Sequence, residues 1–141
     1  MHHGRINSRA SLFHRNIRTF EESYCEHCNE VVETIEHIFI LCLNARGVWN
    51  RLGVSSRPDS WRHPWLLGTE LQLPPSVHHD VILLILWHIW KARNAVIFDH
   101  QTSTPRVVLQ RVLHDMDPWR CRYKKLSSQW TTSRACIRNC L

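Results

Sequence analysis

Glycine and proline are scarce, at 4 and 6 of 141 residues. Chains that stay unfolded by composition are usually rich in both, so a packed fold of one domain or two small ones is expected. Long apolar runs are missing as well; the longest uninterrupted one is Val81 to Trp87. A spanning helix needs ~20 such residues, and Lys91 and Arg93 follow closely, so no membrane partner is expected. The stretch Met1-His2-His3-Gly4-Arg5 has no apolar h-region, which predicts an intracellular protein of nucleus or cytoplasm. The five aspartates, Asp59, Asp80, Asp99, Asp115 and Asp117, form no Asp-Asp pair and no RNase H pattern. A polymerase or nuclease needs such a cluster to hold its metal ions, so the chain is expected not to be an enzyme.

What the chain does hold is 6 Cys, 11 His and 7 Trp. Outside a secretory setting, six cysteines point to metal ligands or free thiols before disulfides. The net charge of +6 is uneven. Residues 1–57 carry seven Lys/Arg against six acids, residues 58–100 three against four, and residues 101–141 eight against two. The whole excess therefore lies in the last segment. Arg120, Arg122, Lys124 and Lys125 are its densest run, with Trp119, Tyr123 and Trp130 interleaved. Cations among aromatic rings suit single-stranded nucleic acid; a solvated helix face is the plainer alternative.

Hydrophobic spacing predicts a mainly α fold: a small metal-stapled turn-helix module followed by a helical segment. Thr34 is placed to cap a helix whose apolar positions Ile38, Leu41, Cys42, Ala45, Val48, Trp49 and Leu52 recur at helical spacing. Gly53 is placed to end it in a left-handed conformation. Residues 54–76 read as a Pro/Trp connector. A long helix over about 77–98 follows, apolar around most of its circumference, with a buried strand over 81–86 as the competing assignment. Thr104-Pro105 starts a third helix that Pro118 ends or kinks. The divisions are thus 8–53, 54–76, 77–116 and a basic, partly disordered tail at 117–141.

The spacing C-x2-C-x8-H-x4-C singles out Cys25, Cys28, His37 and Cys42 as ligands of one Zn2+. Two cysteines separated by two residues reach one ion across a tight turn, where Asn29 tolerates positive φ. The H-x4-C step fits a pair on a helix. Four protein ligands close the shell, the arrangement of a structural zinc and not of a catalytic one. His27 is the rival ligand, inside the turn and expected to point outward. Cys136 and Cys140 with His100 or His114 offer a much weaker second metal set.

These residues carry a family resemblance. Tyr24-Cys25-Glu26-His27-Cys28, then Glu33-Thr34-Ile35-Glu36-His37-Ile38-Phe39, Cys42, Ala45 and Val48-Trp49 resemble the zinc-binding domain of reverse transcriptases from plant non-LTR, LINE-type retrotransposons. Ser8-Arg9-Ala10-x-Leu12-x-x-Arg15-x-Ile17 matches the approach to the first cysteine. The block Trp87-x-Ile89-Trp90-Lys91-Ala92-Arg93-Asn94-x-x-Ile97-Phe98 matches a second motif of these elements. Together the matches span about residues 8–98. Asn29 and Leu43 depart from a usual Gly and Pro, without removing a ligand.

The resemblance implies a non-catalytic module that binds template RNA or target DNA beside a reverse transcriptase polymerase domain, here as a detached or degenerate fragment. The alternatives are a structural or protein-interaction module docking on the polymerase, or a relic without function. In the second block, Trp87, Trp90 and Asn94 share a helix face and are candidates for base stacking. The favoured expectation is that both tryptophans are buried against the zinc helix near Val48 and Trp49, with Arg93 and Asn94 bonded to its backbone.

Overall fold

The computed structural model describes residues 7–122 and 124–141, with the Arg122 side chain and Tyr123 outside the description. Five α-helices carry the fold: α1 (Arg9–His14), α2 (Leu43–Arg51), α3 (Pro75–Asp99), α4 (Pro105–Arg122) and α5 (Ser127–Asn139). Among the described residues there is no strand, only an isolated antiparallel bridge between Tyr24 and Val32. The mainly α expectation holds.

The helix starts follow capping chemistry. Ser8 accepts from the amide of Ser11 ahead of α1, and Thr104 accepts from that of Val107 ahead of α4. Pro105 sits first in α4, where its missing N–H costs nothing. Pro75 does the same for α3, which therefore begins earlier than residue 77 and is capped at Pro74, ahead of Ser76. Beyond the end of α2, Gly53 takes φ +70° and lets the chain turn back, with the Val54 amide donating to the Trp49 carbonyl.

One apolar core runs from Cys25 and Ile38 through the connector to Trp130 and Ile137. Helix α3 supplies Val77, Val81, Ile82, Ile85, Leu86 and Ile89 to it, and α4 supplies Val108, Leu109, Val112 and Met116. By length and composition α3 could also cross a membrane. The same side chains form the centre of this core, the common reason for a helix of that composition inside a protein. The connector packs down in part: Trp61 and Leu67 are buried, while Trp65 and Leu66 stand in solvent.

Two tail expectations are corrected. Helix α4 continues through Pro118 to Arg122, and residues 127–139 form α5 in place of a partly disordered tail. Trp130 and Ile137 of α5 are fully buried, and the Trp130 indole N–H donates to the Met116 carbonyl. Their stripe is sparse because the small Ser133 fills the position between them, so composition hides it. Trp130→Ala is therefore expected to cost about 3–5 kcal/mol, the usual cost of truncating a large core aromatic. A urea melt within about 0.5 kcal/mol of wild type would show that α5 does not belong to the core.

Candidate metal centre

The centre is assembled from a short loop and a broken helix. The Tyr24–Val32 bridge and the bond from the Cys25 amide to the Val31 carbonyl close a tight loop over Cys25 and Cys28. The positive φ this loop needs falls on Glu30 at +55°, one residue later than Asn29. Thr34 then caps the next turn, its hydroxyl accepting from the His37 amide.

The continuous helix expected from Thr34 to Leu52 is interrupted. Residues His37–Leu41 form a π-turn, and Cys42 leaves helical geometry at φ −57°, ψ 141° before α2 begins. The amide of Cys42 reaches back five residues to the His37 carbonyl. This wider turn brings Cys42 inward, and it sends Leu41 toward solvent instead of along the apolar stripe. The break frees two groups that a regular helix would pair, the Phe39 carbonyl and the Leu43 amide. The Trp49 indole donates to the carbonyl at 2.8 Å, and the amide points at Cys28 Sγ at 3.5 Å. The helix interruption is thus compensated by the site it builds.

The ligand atoms of Cys25, Cys28, His37 and Cys42 all lie within 4.8 Å of one another, and all four residues are buried. Cys25 Sγ and Cys42 Sγ are 3.8 Å apart. Metal–sulfur bonds of ~2.3 Å in a tetrahedron place sulfurs about 3.8 Å apart. His37 Nε2 is buried without a hydrogen-bond partner, as suits a nitrogen whose lone pair serves a cation. Backbone amides point at the sulfurs: His27 to Cys25, Leu43 to Cys28 and Asn44 to Cys42. Such donors favour thiolates.

Protonation follows the same logic. The hydrogen bond shared with Cys42 holds the Cys25 thiol well below its usual range. That bond and burial push Cys42 up, because it would be a second buried thiolate beside the first. A cation removes this repulsion and lets all three sulfurs ionise. The residues present therefore fit a bound metal ion.

His27, the rival ligand, stays outside this group. Its ring is only partly turned outward, and Nε2 is buried without a partner. Cys136 and Cys140 donate to the carbonyls of Leu71 and Cys136, and burial raises both thiols. Among the described residues they join no cluster of three or more metal-ligating side chains, and Cys121 is exposed.

Behind the centre lies a feature that sequence reasoning missed. Glu33 is 1% exposed and faces Arg93 of α3, sixty residues on. The Arg93 guanidinium donates to both carboxylate oxygens, and the Arg9 amide donates to Oε1. Asn94 Oδ1 accepts from the same guanidinium at 2.8 Å. The Glu33 backbone bonds Ser23 and Ala10. One buried ion pair therefore ties α1, the metal loop and α3 together. Arg93 had been expected to bond backbone of the zinc helix; its partner is this carboxylate.

Of the second-block tryptophans, Trp90 packs against the core while Trp87 departs from the buried expectation. Trp87 is 48% exposed and Trp90 only partly buried, the two rings stacked 5.1 Å apart. Helix α2, with Val48 and Trp49 at its buried face, packs chiefly on α4 and the π-turn, so Trp87 is left on the outer side of α3. Of the basic run, Arg120, Lys124 and Lys125 are exposed around the α4–α5 corner, and the Arg122 side chain lies outside the described residues. Trp130 is buried and unavailable for stacking, while Trp119 lies half-buried against it.

Comparison with protein-family models, with curated proteins and with solved structures finds no match for this chain.

Proposed function

We propose that the chain is a non-catalytic, zinc-stapled module of the kind found in retroelement reverse transcriptases, and that it binds RNA or DNA. Three sulfurs and one imidazole in a closed tetrahedral set suit zinc, whose d-shell imposes no other geometry. With four protein ligands the ion has no position left for water, so it holds the chain together and activates nothing. The observation that carries the family reading is the Glu33–Arg93 pair. The two sequence blocks that resemble plant non-LTR retrotransposons are far apart in the chain, and each supplies one half of this buried contact.

The nucleic-acid role draws on charge. The last 41 residues hold the full +6 excess, and Arg120, Lys124 and Lys125 present it on one exposed corner. Arg134 is partly committed, paired with Asp117 at 2.8 Å.

Binding of single-stranded RNA and DNA by the zinc-loaded full chain at several salt concentrations tests this. With about four to six phosphates neutralised, log affinity should fall against log salt with a slope of about −3 to −4. Replacing Arg120, Lys124 and Lys125 together by glutamine should flatten that slope by about 2. Point substitutions are the right tool, because removing residues after Met116 would delete the core helix α5. Absence of binding at low salt, or binding indifferent to salt, would refute the nucleic-acid role.

A further inference from the structure

We propose that the outer face of α3 is a stacking platform for the unpaired bases of a single-stranded nucleic acid. This rests on the nucleic-acid reading above and names the surface that holds the bases, apart from the corner that holds the phosphates.

Trp87, Trp90, Asn94 and Phe98 recur at helical spacing and share one face. From Trp87 to Phe98 the helix rises about 16 Å. Trp87 is half-exposed and Phe98 is 71% exposed, although the opposite face of α3 is fully committed to the core. Trp90, between them, is partly buried against the core, so it anchors the exposed Trp87 ring. The two indoles already stack on each other with planes 26° apart, so an entering base would extend an existing stack.

The groove beside them, about 380 Å³, runs between α3 and α4 and is lined by Trp87, Trp90, Asn94, Phe98, Lys91 and Arg111. A second hollow of about 270 Å³ lies between Trp87 and Trp119, so Trp87 borders both. Trp119 immediately precedes Arg120, the first residue of the basic run, in α4.

Charge at this face does not select the guest, so stacking carries the contact and the phosphates are left to the basic corner. Lys91 and Arg111 line the groove with the buried His88, whose Nε2 bonds Asp115. The acids on this side are Asp99 at the groove's end, Asp115, which takes the His88 bond, Asp80 in the second hollow, and Glu21, Glu22 and Glu26 in the hollow on the other flank of Trp90 and Phe98. Asn94 adds an amide that can read a base edge, although its oxygen is held by Arg93. Stacking is indifferent to base identity, so little sequence preference is expected.

The test uses the zinc-loaded full chain with two probes, a short single-stranded oligoadenylate and a blunt RNA duplex. Trp87→Ala should weaken the single strand about fivefold to a hundredfold and leave the duplex unchanged. The salt slope should stay at its wild-type value, because no phosphate contact is lost. Quenching of tryptophan emission by the single strand should drop in Trp87→Phe, which keeps a ring at the exposed site and so guards against a folding artefact. If both variants bind the single strand like wild type while the Arg120/Lys124/Lys125 variant is weakened, the nucleic-acid reading stands and the platform is wrong. If wild type binds neither probe, the nucleic-acid reading itself fails and takes the platform with it.

Discussion

Cys42→Ser is expected to release the metal and unfold the loop and π-turn between about residues 20 and 53, and His37→Ala to do the same. Structural zinc in small modules contributes about 10–16 kcal/mol of apparent binding free energy at neutral pH. A domain of this size has roughly 5–15 kcal/mol of total stability, so the loss cannot be absorbed locally. The effect should spread. Ile38, Phe39 and Ile40 of the π-turn are buried with less than 4% exposure and belong to the same core as α3 and α4. Phe39 also stacks on Trp61, and its carbonyl holds the Trp49 indole. Chelation should therefore red-shift tryptophan emission and lower the helical signal together. A Cys42→Ser chain that keeps stoichiometric metal and the wild-type melting curve would remove Cys42 from the ligand set.

The second large effect is expected at Arg93, far from the metal. Arg93→Ala leaves the Glu33 carboxylate buried with little beyond the Arg9 amide to face its charge. Breaking a buried pair in this way costs about 3–5 kcal/mol, most of it the penalty of the stranded charge. Arg93→Lys should recover only part, because an ammonium cannot donate the parallel pair of bonds that the guanidinium makes. Adding Glu33→Gln to Arg93→Ala should restore stability relative to the single variant, since no buried charge then remains. The three variants form a comparison that urea melts can read. A cost below about 1 kcal/mol for Arg93→Ala would mean that water reaches the carboxylate and that the pair is not a clamp.

The metal ligands were legible because their chemistry is local. Two cysteines across a turn and a His-x4-Cys step need no knowledge of distant packing, and all four come together as the spacing predicts. Thr34, Pro105 and Gly53 were legible for the same reason, since caps and turns are decided by a few neighbouring residues. The break at Cys42 was not. Cys42 stands four residues after Ile38, so the apolar stripe runs on in sequence, and only the need to turn a thiolate inward shifts the register. Glu33 and Arg93 were each visible as motif residues, but periodicity cannot pair groups on separate elements. The outward face of Trp87 was hidden by composition: α3 is apolar almost all round, so the pattern did not say which tryptophan would be left outside. Helix α5 was hidden in the opposite way, by two anchors, Trp130 and Ile137, among polar and basic residues.

The central claim is a single structural zinc held by Cys25, Cys28, His37 and Cys42. Zinc-edge X-ray absorption on the purified chain, with metal stoichiometry on the same sample, tests it most directly. The expected result is one zinc per chain with three sulfurs at ~2.3 Å and one imidazole nitrogen at ~2.0 Å. A zinc content well below one, or a shell containing water oxygen and fewer than three sulfurs, would contradict it.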